Sequence, residues 1–203
     1  MVLGVTGGFC CGKSLVTKIF KSHGAKIINL DSLSHRYLKL DTPIAKRIIR
    51  YFGKNIVRAG RIDRRILASK VFGNQKRLKR LNSIIHPAVI SDMQKLLEKY
   101  RARYRLIVVE APLLFEARLK QYFDLVIVVK TNRDIQFYRA KRKFGLSDHQ
   151  IENRISSQLP LSRKVKEADF VIDNSGSISE TKKQIESIIK QLKIGGKGGR
   201  KDG

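Results

Sequence analysis

The chain has 203 residues, 42% of them hydrophobic, and a formal net charge of +26 from 43 Lys and Arg against 17 Asp and Glu. That length supports one α/β domain with a continuous core and excludes two full domains, and the longest apolar runs, such as LIVVEAPLLF, fall short of the roughly 20 residues that a membrane span needs. So positive a charge fits a highly anionic ligand or basic helix faces turned to solvent, and makes nucleic acid or an anionic membrane a partner to be weighed.

In chain order, VLGVT at residues 2 to 6 reads as a buried parallel strand. Because Met1 leads directly into it, with no basic leader, apolar signal stretch or small-residue cleavage site, secretion is not expected and a cytoplasmic location is. A glycine-rich turn follows, and then SLVTKIFKSHG, whose Leu15, Val16, Ile19 and Phe20 have helical spacing. The neighbouring Cys10 and Cys11 are about 3.8 Å apart at Cα, below the usual disulfide spacing, so free thiols are expected. KIINL at 26 to 30 gives a second strand ending at Asp31. Residues 32 to 103 then turn helical and basic, which predicts an inserted helical region.

Alternation of strand and helix resumes with YRLIVVE at 104 to 110, DLVIVV at 124 to 129 and DFVID at 169 to 173, each apolar enough to be covered on both faces. With GGFCCGKS, a G-x-x-x-x-G-K-[ST] loop, between the first strand and the first helix, the expected fold is an α/β three-layer P-loop NTPase fold with a five-stranded parallel sheet, an inserted helical substrate domain and a lid. Its core comprises 1–31, 104–135 and 159–192, the insertion 32–103 and the lid 136–158. The lid segments RDIQFYRAKRKFG and SDHQIENRISSQ have few core-type residues and suit a mobile cover. A closing helix with a Ser-x-x-Glu start at Ser177 to Glu180 precedes a Gly/Lys tail, 193–203, expected to be flexible.

The chemistry concentrates in GGFCCGKS, Gly7 to Ser14, which fits G-x-x-x-x-G-K-[ST] with a strand before it and a helix after it. Backbone N–H groups of such a loop point at a β-phosphate, and the helix N-terminus adds positive dipole. Lys13 spans the β- and γ-phosphates, and the Ser14 hydroxyl binds Mg²⁺. MgATP is the expected cofactor, with Gly8, Cys10, Cys11, Gly12, Lys13, Ser14 and Leu15 forming its cradle.

Asp31, at the carboxyl end of the second strand, is either a general base that orients an attacking hydroxyl or a helix N-cap, since Asp31-Ser32 opens a helix. Glu110, at the end of the third, could hold a magnesium-bound water. Arg139 and Arg142, three apart on one helix, with Arg154 further on, either clamp the transferring phosphate or belong to a solvated basic face.

Taken together these residues resemble the dephospho-coenzyme A kinase family. The likeness runs in order through VTGGFCCGKS, INLDSLSH, FGKNI with RIDRRILASKVF, His86-Pro87, VVEAPLLFE, FDLVIVV, QFYRAKR and ADFVIDNSG, covering about residues 2 to 190. The resemblance implies ATP-dependent phosphorylation of the ribose 3′-hydroxyl of dephospho-coenzyme A, the last step of coenzyme A synthesis. It also implies that Asp31 is the catalytic carboxylate, 32–103 the coenzyme A-side domain and 136–158 the lid carrying Arg139 and Arg142, with Asn174 and Gly176 near the adenine.

Arg61, Arg64 and Arg65 are candidates for acceptor binding, or solvated residues at a helix start. The implied partner is the small acceptor, with no obligatory nucleic acid and no membrane, for a monomer or weak homo-oligomer. The nine Phe and six Tyr show no regular stripe of the kind that stacks on nucleic acid.

Three positions depart from the family's usual pattern, which has Gly-Ser at Cys10-Cys11, Thr at Leu15 and Asp at Asn29. If position 10 needs φ > 0, a cysteine there costs of order 1 kcal/mol that a glycine would avoid. Leu15 lacks a hydroxyl for the α-phosphate, which implies weaker ATP binding. Thiols at a helix N-terminus are also expected to have lowered pKa values and to make the site oxidant-sensitive.

Overall fold

The computed structural model describes residues 1–193; the expected flexible tail, apart from Lys193, lies outside them. Five short apolar segments form the strands β1 (Val2–Gly7), β2 (Lys26–Asn29), β5 (Ile107–Glu110), β6 (Leu125–Lys130) and β7 (Phe170–Asp173). They lie in the order β2-β5-β1-β6-β7, every pair parallel. Side chains alternate across this sheet, so neighbouring residues of one strand feed two different cores.

On one face, Val2, Ile107, Val109, Val126 and Val128 pack with Leu33 and with Val89, Met93 and Leu97. On the other, Leu3, Val5, Val108, Ile127 and Ile172 pack against α1 (Lys13–Ser22) and α9 (Ile178–Gln191) through Val16, Ile19, Phe20, Ile185 and Ile188. Burial of some twenty such side chains, at about 1.5 to 3 kcal/mol each, is what holds the three layers together.

The insertion between β2 and β5 contains α2 (Leu30–Arg36), α3 (Pro43–Phe52), α4 (Arg64–Val71) and α5 (Gln75–Arg101). It also contains an antiparallel pair, β3 (Val57–Arg58) and β4 (Arg61–Ile62). It has a core of its own, built from Ala45, Ile48, Phe52, Ile56, Ile62, Leu67, Val71 and Ile84. The last helix is a beam shared by both parts: Ile84 in its first half serves the insertion, and Val89, Met93 and Leu97 in its second half serve the sheet. Pro87 lies between the two halves without ending the helix, although its ring removes one intrahelical donor.

Two further helices, α6 (Arg133–Phe144) and α7 (Asp148–Ser156), follow β6. They bury few side chains, Gln136 and Ala140 from the first and Ile151 from the second. α8 (Leu161–Lys166) precedes β7, and Lys164 on it is fully buried in an ion pair with Glu116, 2.8 Å away. α9 opens with a reciprocal capping box between Ser177 and Glu180, as the Ser-x-x-Glu pattern predicts.

Candidate active site

The carboxyl ends of the parallel strands open into a cleft of about 1670 Å³. This exceeds the 300 to 1,000 Å³ typical of a single small-molecule site and leaves room for two ligands. Its floor includes Gly12, Lys13, Ser14, Leu15, Asp31 and Glu110, and its walls carry Arg61, Arg64 and Arg65 from the insertion and Arg139 and Arg142 from α6.

The loop between β1 and α1 takes its shape from close packing and unusual backbone angles. Gly7 (φ 147°) and Gly12 (φ 90°) lie where any side chain is strained, and a Cβ on Gly12 would collide with the Asn174 amide. Asn174 is itself buried, donating from Nδ2 to the Cys11 carbonyl (2.9 Å) and accepting from the Thr181 hydroxyl at Oδ1 (2.9 Å). It therefore supports the loop from beneath. Neither its side chain nor Gly176 lines the cleft, and Gly8 and Cys11 also lie behind its surface.

Cys10 does adopt φ 56°, the left-handed conformation that a glycine would occupy without strain. The expected lowering of the thiol pKa values is not found. Burial pushes Cys10 and Cys11 above the ordinary thiol range, and the attraction of nearby cations, Lys143 foremost for Cys10 and Lys13 for Cys11, offsets this only in part. Desolvation, which no helix-start pattern reveals, outweighs the pull of the cations.

Lys13 is buried, its ammonium donating to the Gly7 (3.2 Å) and Gly8 (2.8 Å) carbonyls. Burial lowers its pKa, while Cys11, Glu110 and Asp31 act in the opposite sense. Glu110 is held by three donors: Ser14 Oγ at 3.1 Å, Thr17 Oγ1 at 3.2 Å and Asn29 Nδ2 at 3.0 Å. Sequence reasoning missed Thr17 and Asn29. Thr17 is three residues after Ser14 and so shares its helix face, a spacing that could have revealed it.

Asp31 stands in the first turn of α2, but the N-cap of that helix is Asn29, whose Oδ1 accepts from the Ser32 N–H at 2.8 Å. The capping alternative for Asp31 is thereby removed. Its carboxylate is open to the cleft, yet the surrounding walls exclude enough bulk water to raise its pKa above the usual carboxylate range, with Lys13 pulling the other way. Lys13 and Asp31 face the same cleft.

Arg139 donates from Nη2 to the Asn174 carbonyl (3.0 Å), and its Nη1 is buried beside Gly12 with no partner among the described residues. A buried cationic donor left unpaired is costly unless an anion meets it, and a phosphate oxygen on the loop would do so. Arg142 is exposed and, among the described residues, donates to the Tyr138 hydroxyl alone, at 3.4 Å. Arg154 lines the cleft as well. Its guanidinium lies between the rings of Phe72 (4.7 Å), Phe9 (5.4 Å) and Phe144 (5.9 Å), tying α7 to the loop after β1 and to the insertion. Gln136 donates to the Phe9 carbonyl, a contact between α6 and the same loop that the sequence did not reveal.

A glycine loop closing on a lysine and a serine at a helix start, at the carboxyl end of the central strand of a parallel sheet, defines a P-loop nucleotide-binding protein. The family profile described as "Dephospho-CoA kinase" matches residues 1–180. A curated relative, the dephospho-CoA kinase of Bacillus cereus, is 37% identical over 196 residues, covering 96% of this chain and 98% of that one. Among solved structures, the Thermus thermophilus protein TT1252 is 30% identical at a TM-score of 0.78, covering 95% of this chain and 97% of that one. The dephospho-CoA kinase from Campylobacter jejuni is 28% identical at 0.68, covering 94% and 96%. The chain belongs to the dephospho-CoA kinase family.

Proposed function

We infer that this chain transfers the γ-phosphoryl group of ATP to the ribose 3′-hydroxyl of dephospho-coenzyme A, giving coenzyme A and ADP, in the cytoplasm. The observation that carries this reading is the shared cleft, in which the loop lysine and the Asp31 carboxylate face a space large enough for a nucleotide and a second, adenosine-bearing ligand.

The residues fit their partners chemically. The loop N–H groups and Lys13 hold the phosphate chain of the donor, and Arg139 brings an unpaired guanidinium N–H to the same place. Ser14 and Glu110, a hydroxyl and a carboxylate 3.1 Å apart, are the pair that would hold magnesium, directly and through water; the ion, when bound, neutralises charge on the donor's phosphates. Arg61, Arg64 and Arg65 present positive charge to the acceptor's pyrophosphate.

Asp31 orients the acceptor hydroxyl and takes up its proton. The bond from the 3′-oxygen to γ-phosphorus forms as the bond from γ-phosphorus to the β,γ-bridging oxygen breaks, and ADP leaves with that electron pair. Since transfer of this kind is loose, most of the acceleration comes from positioning and from cations around the equatorial oxygens. Arg142 could supply one of those cations once α6 and α7 approach the loop.

Incubation with magnesium, ATP and dephospho-coenzyme A should yield ADP and a product heavier by one phosphate on the 3′-oxygen, read by mass spectrometry, and Lys13→Ala should abolish it. ATP turnover with a nucleoside or shikimate but not with dephospho-coenzyme A would overturn the assignment.

A further inference from the structure

Outside the cleft, the strongest concentration of unmatched charge lies on the outer face of the insertion. Between Thr42 and Ser91 the chain has thirteen Lys and Arg, ten of which do not line the cleft, and a single acidic residue, Asp63. That carboxylate is already engaged, capping α4 by accepting from the Arg65 and Ile66 N–H groups. Where α3 meets the first half of α5, Arg47, Arg50, Tyr51, Arg80 and Ile84 enclose a hollow of about 160 Å³. None of these residues lines the cleft.

Arg47, Arg50 and Tyr51 share one face of α3 because they are three and four residues apart. Among the described residues no carboxylate pairs with Arg47, Arg50 or Arg80, whereas Arg36 and Arg163 each have one. Tyr51 is 50% exposed although it lies in the middle of this charge, and the guanidinium of Arg80 lies 5.4 Å from its ring centroid. Phe52 supports the ring edge-on from the interior, at 4.9 Å between centroids.

We propose that this face is a binding surface for single-stranded nucleic acid. Its arginines would neutralise backbone phosphates, and the Tyr51 ring with the Arg80 guanidinium would form the platform on which an unpaired base stacks. The combination of an aromatic face with unmatched guanidinium groups is what single strands require and duplexes do not, since in a duplex the base faces are already stacked. The sequence showed no periodic aromatic stripe because the platform is assembled from two helices, one contributing the ring and the other the guanidinium.

The test is fluorescence anisotropy of the full chain with a fluorescein-labelled 12-nucleotide oligoadenylate RNA, at several salt concentrations and with saturating MgATP to fill the cleft. Binding should persist with MgATP and exceed that to a duplex of equal length. Tyr51→Ala should weaken it about tenfold at unchanged salt dependence, as the loss of one stacking contact does. Arg47→Ala with Arg50→Ala should reduce the slope of log affinity against log salt by about 1.4.

Lys183→Ala with Lys190→Ala on α9 removes equal charge elsewhere and should change affinity less than twofold. Phosphorylation of dephospho-coenzyme A should be unaltered in all these variants, which also shows that they are folded. The proposal is overturned if RNA does not bind, if MgATP displaces it, if the duplex binds as tightly, if Tyr51→Ala has no effect, or if the α9 pair matters as much as the α3 pair. Preferential capture by phosphatidylglycerol vesicles, at equal phosphate concentration, would overturn it in favour of a membrane surface.

Discussion

On the floor of the cleft Lys13 and Glu110 are buried, as is Asn174 beneath it, and each is held by two or more hydrogen bonds; along the helical wall Arg61, Arg64 and Arg65 are exposed and no carboxylate pairs with them among the described residues. A buried side chain with fixed partners cannot turn without losing them, so the floor is set before any ligand arrives. An exposed arginine keeps its rotamer freedom and acts through its field, which salt screens. Substitutions on the floor should therefore lower turnover, and substitutions on the wall should weaken acceptor binding and make it more salt-dependent.

The largest effect separating the two regions is expected at Lys13. Lys13→Ala should lower kcat by about 10³-fold, as loss of a charge stabiliser in an enclosed site does, with the melting temperature little changed. That second result follows from its depressed pKa: burial already disfavours the ammonium, so removing it relieves the fold of a poorly solvated charge. A large loss of stability would show that Lys13 holds the loop together instead. Next comes Glu110→Gln, which should raise the magnesium concentration for half-maximal rate about 10- to 100-fold, measured by titrating the metal at fixed ATP. An unchanged requirement would remove Glu110 from the metal site.

On the wall, Arg64→Ala should raise KM for dephospho-coenzyme A about tenfold with kcat nearly intact, consistent with loss of one charged contact. A matching fall in kcat would place Arg64 in the transition state and blur the distinction between floor and wall. The smallest effect is expected at Cys10, where φ is 56°. Cys10→Gly should raise the melting temperature by about 2 °C as the left-handed strain is relieved, and a fall would mean that the thiol's packing outweighs it.

The phosphate loop, the five strands and the helical insertion were legible because each rests on local pattern: apolar runs, glycine spacing and helical periodicity. The β3-β4 pair was not, since two-residue strands show no alternation to detect. Nor was the continuity of α5 through Pro87, where packing of the same helix against two cores overrides the breaker. Asn29 is the most instructive residue. In the sequence it is only a departure from Asp, whereas in the fold it caps α2, a local contact, and donates to Glu110, 81 residues away, which no spacing encodes. The thiol acidity was misjudged for the same reason, because burial at Cys10 and Cys11 depends on Gln136, Asn174 and the rest of the fold around them.

The central claim is that Asp31 serves the acceptor hydroxyl as a carboxylate, and the pH dependence of kcat/KM tests it most directly. Because the folded environment raises its pKa, activity should fall as pH drops through a value above the usual carboxylate range, where Asp31 takes up a proton and can no longer accept one. Asp31→Asn should be about 10² to 10⁴-fold slower and should lose that acidic limb. An asparagine variant as fast as the parent, with the same limb, would contradict the account.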